Sequence, residues 1–205
     1  MVKLFEKFGE FDSAEEINRA AAAQKSQGDI EAIKVIAIEN GIDEMNVQDF
    51  IEEAWDKLCS PFEAAMGKLD VEAAALDLPA SLQLWVDYIR TMANTNTDVM
   101  IGIRRKGKDL VRLLAKLIVE TSKSRMYVPQ DVVNAARKLD GSIPSTLPIG
   151  DISKKRLAEI IKEYYIDDPA DNQEKKAKVA PVQLGEEPET LSEEPETESE
   201  GGDDE

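Results

Sequence analysis

The chain has 205 residues, with 42 acidic side chains against 25 basic ones for a formal net charge of −17, no histidine and one cysteine. Without histidine there is no Ser-His-Asp triad, no imidazole metal ligand and no imidazole pH switch, and one cysteine closes neither an intramolecular disulfide nor a cysteine-based zinc site. The bulk acidity argues against a general nucleic-acid binder, which needs a basic footprint to neutralise phosphates.

The periodicity is helical almost throughout, with no sustained alternation of strand type. The opening MVKLFEKFGEF is too short and too charged for a secretory leader, and no apolar run approaches the length of a membrane span. Ser13-Ala14-Glu15-Glu16 is a capping box that opens an alanine-rich helix ending near Gly28. Asp29 caps a second helix, with Ile30, Ile33, Ala37 and Ile38 on one face, which stops at Asn40-Gly41. A third helix follows Asn46, and Val47, Phe50, Ile51, Ala54, Trp55 and Leu58 form its apolar stripe. Cys59 reads as a small buried hydrophobe of a reducing cytoplasm. Ser60-Pro61-Phe62-Glu63 is another capping box, opening a fourth helix toward Leu76 with an interruption expected near Gly67. A fifth begins near Pro79 and turns Leu82, Trp85, Ile89 and Met92 inward.

Asp98 is expected to cap the longest helix, reaching Thr121 with Val99, Ile103, Leu110, Leu114, Leu117 and Ile118 apolar. Gly102 and Gly107 within it weaken it by about 1 kcal/mol each, which close helix packing would offset. Tyr127-Val128 is at most a minimal strand, and short helices over 130–139 and 153–165 flank a loop containing Pro144 and Pro148. The expected fold is all-α, a compact bundle of seven or eight helices over residues 1–166. From Asp167 onward, 15 acids stand against 3 bases with few large aliphatics. Such a segment cannot bury enough surface to offset its ordering entropy and reads as a disordered acidic tail.

Two patterns carry candidate chemistry. Ile36, Ala37, Gly41, Ile42, Val47 and Phe50 have helix-turn-helix spacing, in which alanine permits close approach, glycine turns the chain and the later apolar residues fill the angle. The solvent face of its second helix offers Asp43, Glu44, Asp49, Glu52, Glu53 and Asp56 against Lys57 alone, a surface that repels phosphate. It therefore reads as a bundle corner presenting an acidic face to a partner rather than a helix for the major groove. The second pattern is a basic run, Arg104, Arg105, Lys106, Lys108, Arg112, Lys116, Lys123 and Arg125 against Asp109 and Glu120. On one helix, Arg104, Lys108, Arg112 and Lys116 would form a stripe, read either as a contact face for nucleic acid or an acidic protein, or as a solvated face pairing with the acidic first half.

Other motifs fail on inspection. Gly102-x-x-x-x-Gly107-Lys108-Asp109 has aspartate where a phosphate-binding loop needs Ser or Thr, and Asn94-x-Asn96-x-Asp98 has Val99 where a calcium loop needs glycine. No cofactor or metal is implied. Trp55 and Trp85 lie on apolar stripes and read as core, over the other reading of an exposed anchor for a partner.

The stretch FGEFDSAEEINRAAAAQKSQGDIEAIKVIAIENGID, the phrase GKLDVEAA, the RRKGKDL of the basic run and the EIIKEYY near residue 160 resemble a group of small helical proteins of bacteriophages and mobile elements of gut bacteria. Some small acidic proteins of this kind are anti-CRISPR inhibitors of RNA-guided DNA nucleases. The resemblance implies an inhibitor acting in the bacterial host cytoplasm, while the absence of catalytic groups points to a non-enzymatic protein and the acidic first half to a basic partner, such as a nucleic-acid enzyme with a positive channel. The resemblance carries no binding residue over to a numbered position and does not reach the acidic tail. The alternative is a mobile-element accessory protein that binds DNA or RNA through residues 104–125.

Overall fold

A computed structural model describes residues 4–146 and 148–167. The segment read as an acidic tail lies outside these residues, Asp167 excepted. The fold is all-α, as expected: nine α-helices, a closing π-helical turn and a two-stranded ribbon among the described residues.

Helices α1 (Ala14–Ser26), α2 (Ile30–Glu39) and α3 (Glu44–Ile51) pack around an N-terminal core that includes Ile17, Ala21, Ile33, Ile36, Val47 and Phe50. The caps follow the sequence. The Glu16 N–H donates to Ser13 Oγ at 3.2 Å, and the Ala32 N–H to Asp29 Oδ1 at 2.9 Å. The Glu16 carboxylate, however, reaches the Asp12 amide at 2.8 Å, so the first box is only half formed. Ile38, expected inward, is 72% exposed.

Helix α3 is displaced toward the N-terminus and much shorter than its apolar stripe. Asp43 caps it by accepting from the Met45 N–H at 2.8 Å. Beyond Ile51 the Ala54 and Trp55 amides both donate to the Asp49 carbonyl, at 2.9 and 3.2 Å, and Glu53 takes a left-handed φ of 63°. The reason is tertiary. The Asn18 side chain donates to the Cys59 carbonyl at 2.9 Å and accepts from the Cys59 amide at 3.0 Å, pulling Leu58 and Cys59 back into the core against α1. A helix continued to Leu58 could not make that return. Trp55, expected in the core, is thrown outward and is 60% exposed.

Helix α4 (Pro61–Leu76) opens on the complete Ser60–Glu63 capping box and joins the N-terminal core to a second one. It is not interrupted at Gly67. That glycine is where the α2–α3 turn at Gly41 abuts α4, and a Cβ there would lie 2.2 Å from the Asn40 carbonyl oxygen.

The second core gathers α4, α5 (Ala80–Thr95), α6 (Thr97–Arg104), α7 (Leu110–Lys123) and α9 (Lys154–Lys162) around Leu69, Val86, Ile89, Ile103, Leu113 and Tyr165. Trp85 is partly buried against it. The long helix expected from Asp98 to Thr121 is two helices. Asn96, not Asp98, caps α6, accepting from the Val99 N–H at 3.1 Å. Gly107 takes φ +74° in open space, and Asp109 caps α7 by accepting from the Arg112 N–H at 2.8 Å. Gly107 thus serves conformation, a left-handed turn open to glycine. Gly102 serves packing, since a Cβ there would meet the Tyr165 carbonyl oxygen at 2.3 Å. Ile118, expected apolar and inward, is 49% exposed.

A short strand does form. β1 (Arg125–Tyr127) pairs antiparallel with β2 (Pro148–Gly150), with α8 (Gln130–Leu139) between them in the chain. The π-turn Glu163–Asp167 follows α9 and buries Tyr164 and Tyr165.

Candidate protein-interaction surface

The break at Gly107 dissolves the basic stripe. Arg104 ends α6 and is 2% exposed, Lys108 lies in the connecting loop and is 4% exposed, and only Arg112 and Lys116 of the four stand exposed on α7. Arg105 is half-buried.

The first part of the basic run is the link between the two cores. Lys68 of α4 is fully buried; its ammonium donates to Glu10 and, at 3.0 Å, to the Arg105 carbonyl, and sits 3.9 Å from Glu72. Glu72 accepts from the Leu110 N–H at 2.9 Å. Burial pushes its carboxyl up to about 7, with Lys68 and the Leu110 amide acting in the opposite direction. The Arg104 guanidinium donates to the buried Asn40 side chain and lies 5.7 Å from the centre of the Phe5 ring, while its Nε and Nη1 have no hydrogen-bond partner. Its burial lowers its pKa. Asp12 accepts from the Lys106 amide at 2.9 Å, Glu10 from the Gly107 amide at 3.2 Å, and the Lys106 ammonium lies 3.6 Å from Glu16. The Lys108 ammonium lies 5.2 Å from the centre of the Tyr164 ring. Here the basic run pairs with the acidic first half, one of the two readings its sequence allowed.

The exposed remainder of the run is mixed in charge. Arg112 is 3.2 Å from Asp109 and donates to the Gly107 carbonyl, and Lys123 is 3.1 Å from Glu120. Arg156 of α9 meets Glu120, Glu159 and Glu163 beside the α7–α9 groove. The pairing with Asp109 and Glu120 partly offsets the positive field that a phosphate backbone would meet here.

The acidic corner is different. Asp43, Glu44, Glu52, Glu53 and Asp56 are exposed and Asp49 half-buried. They no longer share one helix face: Asp49 lies in α3, Glu52 closes it, and Glu53 and Asp56 belong to the turn that displays Trp55. Three large apolar side chains of this region are exposed, Ile38 of α2 and Met45 of α3 at 72% and Trp55 of the following turn at 60%. A groove of about 570 Å³ beside α1 is lined by Ala22, Lys25, Phe50, Glu53, Trp55 and Asp56. Lys25 is committed there, donating to the Phe50 carbonyl at 2.7 Å and lying 3.5 Å from Glu53. On the other side, α2 and α3 enclose a cleft of about 250 Å³ whose apolar lining is Ala37, Ile38, Ile42, Val47 and Ile51. Exposed aromatic and aliphatic anchors within a charged rim are the anatomy of a binding patch.

Sequence reasoning favoured the core for Trp55 over the exposed placement it also allowed, and it missed the buried Lys68–Glu72 pair. For the pair a signal existed: a lysine and a glutamate four apart within the alanine-rich 64–75 stretch, facing inward beside Leu69 and Ala73. Among the described residues no group of three or more Cys, Asp and Glu side chains is placed to hold a metal ion, and no helix is long and apolar enough to cross a membrane. The chain matches no family model, no curated protein and no solved structure.

Proposed function

We propose that the protein is a non-enzymatic binding protein that docks a basic protein surface on its acidic α2–α3 corner and thereby inhibits a nucleic-acid enzyme, most concretely an RNA-guided DNA nuclease of a bacterial host. The observation that carries this reading is that exposed apolar side chains meet carboxylates on both sides of α3: Ile38 lines a cleft with Glu44, and Trp55 lines a groove with Glu53 and Asp56. RNA-guided nucleases hold guide and target in strongly positive channels, and complementary charge speeds and orients docking on such a surface. The resemblance to proteins of phages and mobile elements points the same way. The alternative, nucleic-acid binding through residues 104–125, is weakened because Arg104 and Lys108 are committed to the interior.

The test is a cleavage assay with a purified RNA-guided nuclease. Excess protein is expected to co-elute with the nuclease and to suppress cutting, with suppression fading as salt rises. Undiminished cutting with no association refutes the reading.

A further inference from the structure

The acidic corner has shape as well as charge. The cleft between α2 and α3, about 250 Å³, lies below the roughly 300–1,000 Å³ usual for small-molecule sites and is floored by aliphatic groups. It is sized for side-chain anchors. Its lining carries one anion, the exposed Glu44, and one cation, Lys34, which is 2.8 Å from Glu31; Asp43 and Glu52, which follow the lining residues Ile42 and Ile51 in the chain, add two more exposed carboxylates. The complement of this surface is an apolar stripe flanked by lysine or arginine.

The backbone decides what form that stripe takes. The cleft walls are helices whose main-chain groups bond internally, and the two described strands pair with each other through residues 125–127 and 148–150. An extended peptide would find no strand edge in the cleft and would leave its amides unpaired. A helix brings its backbone already satisfied and sets apolar side chains about 5–6 Å apart at three- and four-residue spacing, a pitch that lets one anchor enter the cleft and the next lie against Ile38.

We propose that the α2–α3 cleft receives one face of an amphipathic helix of the partner, with an aliphatic or aromatic anchor between Ile42 and Val47 and basic side chains over Glu44 and Glu52. This rests on the basic-partner reading above and adds the partner's secondary structure and the point of contact.

The test titrates the full chain with three synthetic probes and follows backbone amide shifts by NMR. The first probe is a leucine–lysine peptide of helical period, the second the same composition reordered to alternate, the third oligolysine. The helical peptide is expected to bind most tightly, to shift the amides of Ile38, Ile42, Val47 and Ile51, and to lose about tenfold in affinity with Ile38→Asp and a few-fold with Glu44→Gln. Because Ile38 is largely exposed, Ile38→Asp should retain the wild-type helical circular dichroism. If oligolysine binds equally well and Ile38→Asp changes nothing, the cleft proposal falls while the basic-partner reading stands. If no probe associates at low salt, both fall. Shifts at the same amides that grow with protein concentration alone assign the cleft to a second copy and overturn the proposal.

Discussion

Gly67→Ala is expected to destabilise the protein by about 3 kcal/mol, the upper range for forcing atoms into a packed site. The added methyl would lie 2.2 Å from the Asn40 carbonyl oxygen, 2.6 Å from the Gly41 carbonyl oxygen and 2.8 Å from the Gly41 carbonyl carbon. All three are backbone atoms, so no flexible side-chain end can swing away. Relief requires the α2–α3 corner to move off α4. Gly107→Ala is the control. It also replaces a glycine, but into open space at φ +74°, and should cost only about 1 kcal/mol of backbone strain. Urea unfolding measures both, and the close-approach account requires the Gly67 midpoint to fall much further than the Gly107 midpoint at similar slope. Equal midpoints would mean that α4 and the corner do not meet as described.

The second large effect is expected at Lys68. Removing one partner of a buried ion pair typically costs about 3–5 kcal/mol, because the remaining charge is stranded. Lys68→Met strands Glu10 and Glu72, which share its ammonium. The penalty should depend on pH, with a definite sign. Burial has raised the Glu72 carboxyl to about 7, so between its ordinary range near 4.5 and 7 the folded protein holds a proton that the unfolded chain releases. That contribution is present at low pH and lost as pH rises through 7. Lys68 pulls the carboxyl downward, so its removal drives it higher still. The deficit of Lys68→Met against the wild type should therefore grow from pH 5 to pH 8, and adding Glu72→Gln should restore much of the pH 8 loss. A deficit independent of pH contradicts the pairing of Lys68 with Glu72.

What could be read from the chain, and what could not, divides along the range of the interactions. Ser60–Glu63 and Asp29 are local signals, and the structure contains both caps where the sequence puts them. The turn at Gly41 was equally legible, because the Ile42 amide donates to the Ala37 carbonyl at 2.9 Å within six residues. The end of α3 was not. Its apolar stripe continues in helical period to Leu58, but the clamp between Asn18 and Cys59, 41 residues apart, holds the continuation off the helix. With that clamp in place Trp55, expected in the core, stands exposed beside Glu53 and Asp56.

The basic run failed in a related way. Its basic excess was legible, but the stripe required one continuous helix through Gly107, where the Gly107–Asp109 turn starts a new one. Asp109, a cap residue three positions before Arg112, was the overlooked sign. Nothing local announced that Arg104 would turn inward to Asn40, 64 residues away in the chain. For the candidate site, therefore, the acids were legible and the apolar anchors among them were not.

The central claim is that contact with a partner runs through the acidic corner and not through the basic run. The most direct measurement compares the inhibition of an RNA-guided nuclease by two full-length charge-neutralised variants. One carries Asp49→Asn, Glu52→Gln, Glu53→Gln and Asp56→Asn, and the other Arg112→Gln and Lys116→Gln. The account predicts that the first loses inhibitory potency by about tenfold or more, equivalent to roughly 1.4 kcal/mol of binding, while the second keeps it. Retained potency in the first with loss in the second would contradict it.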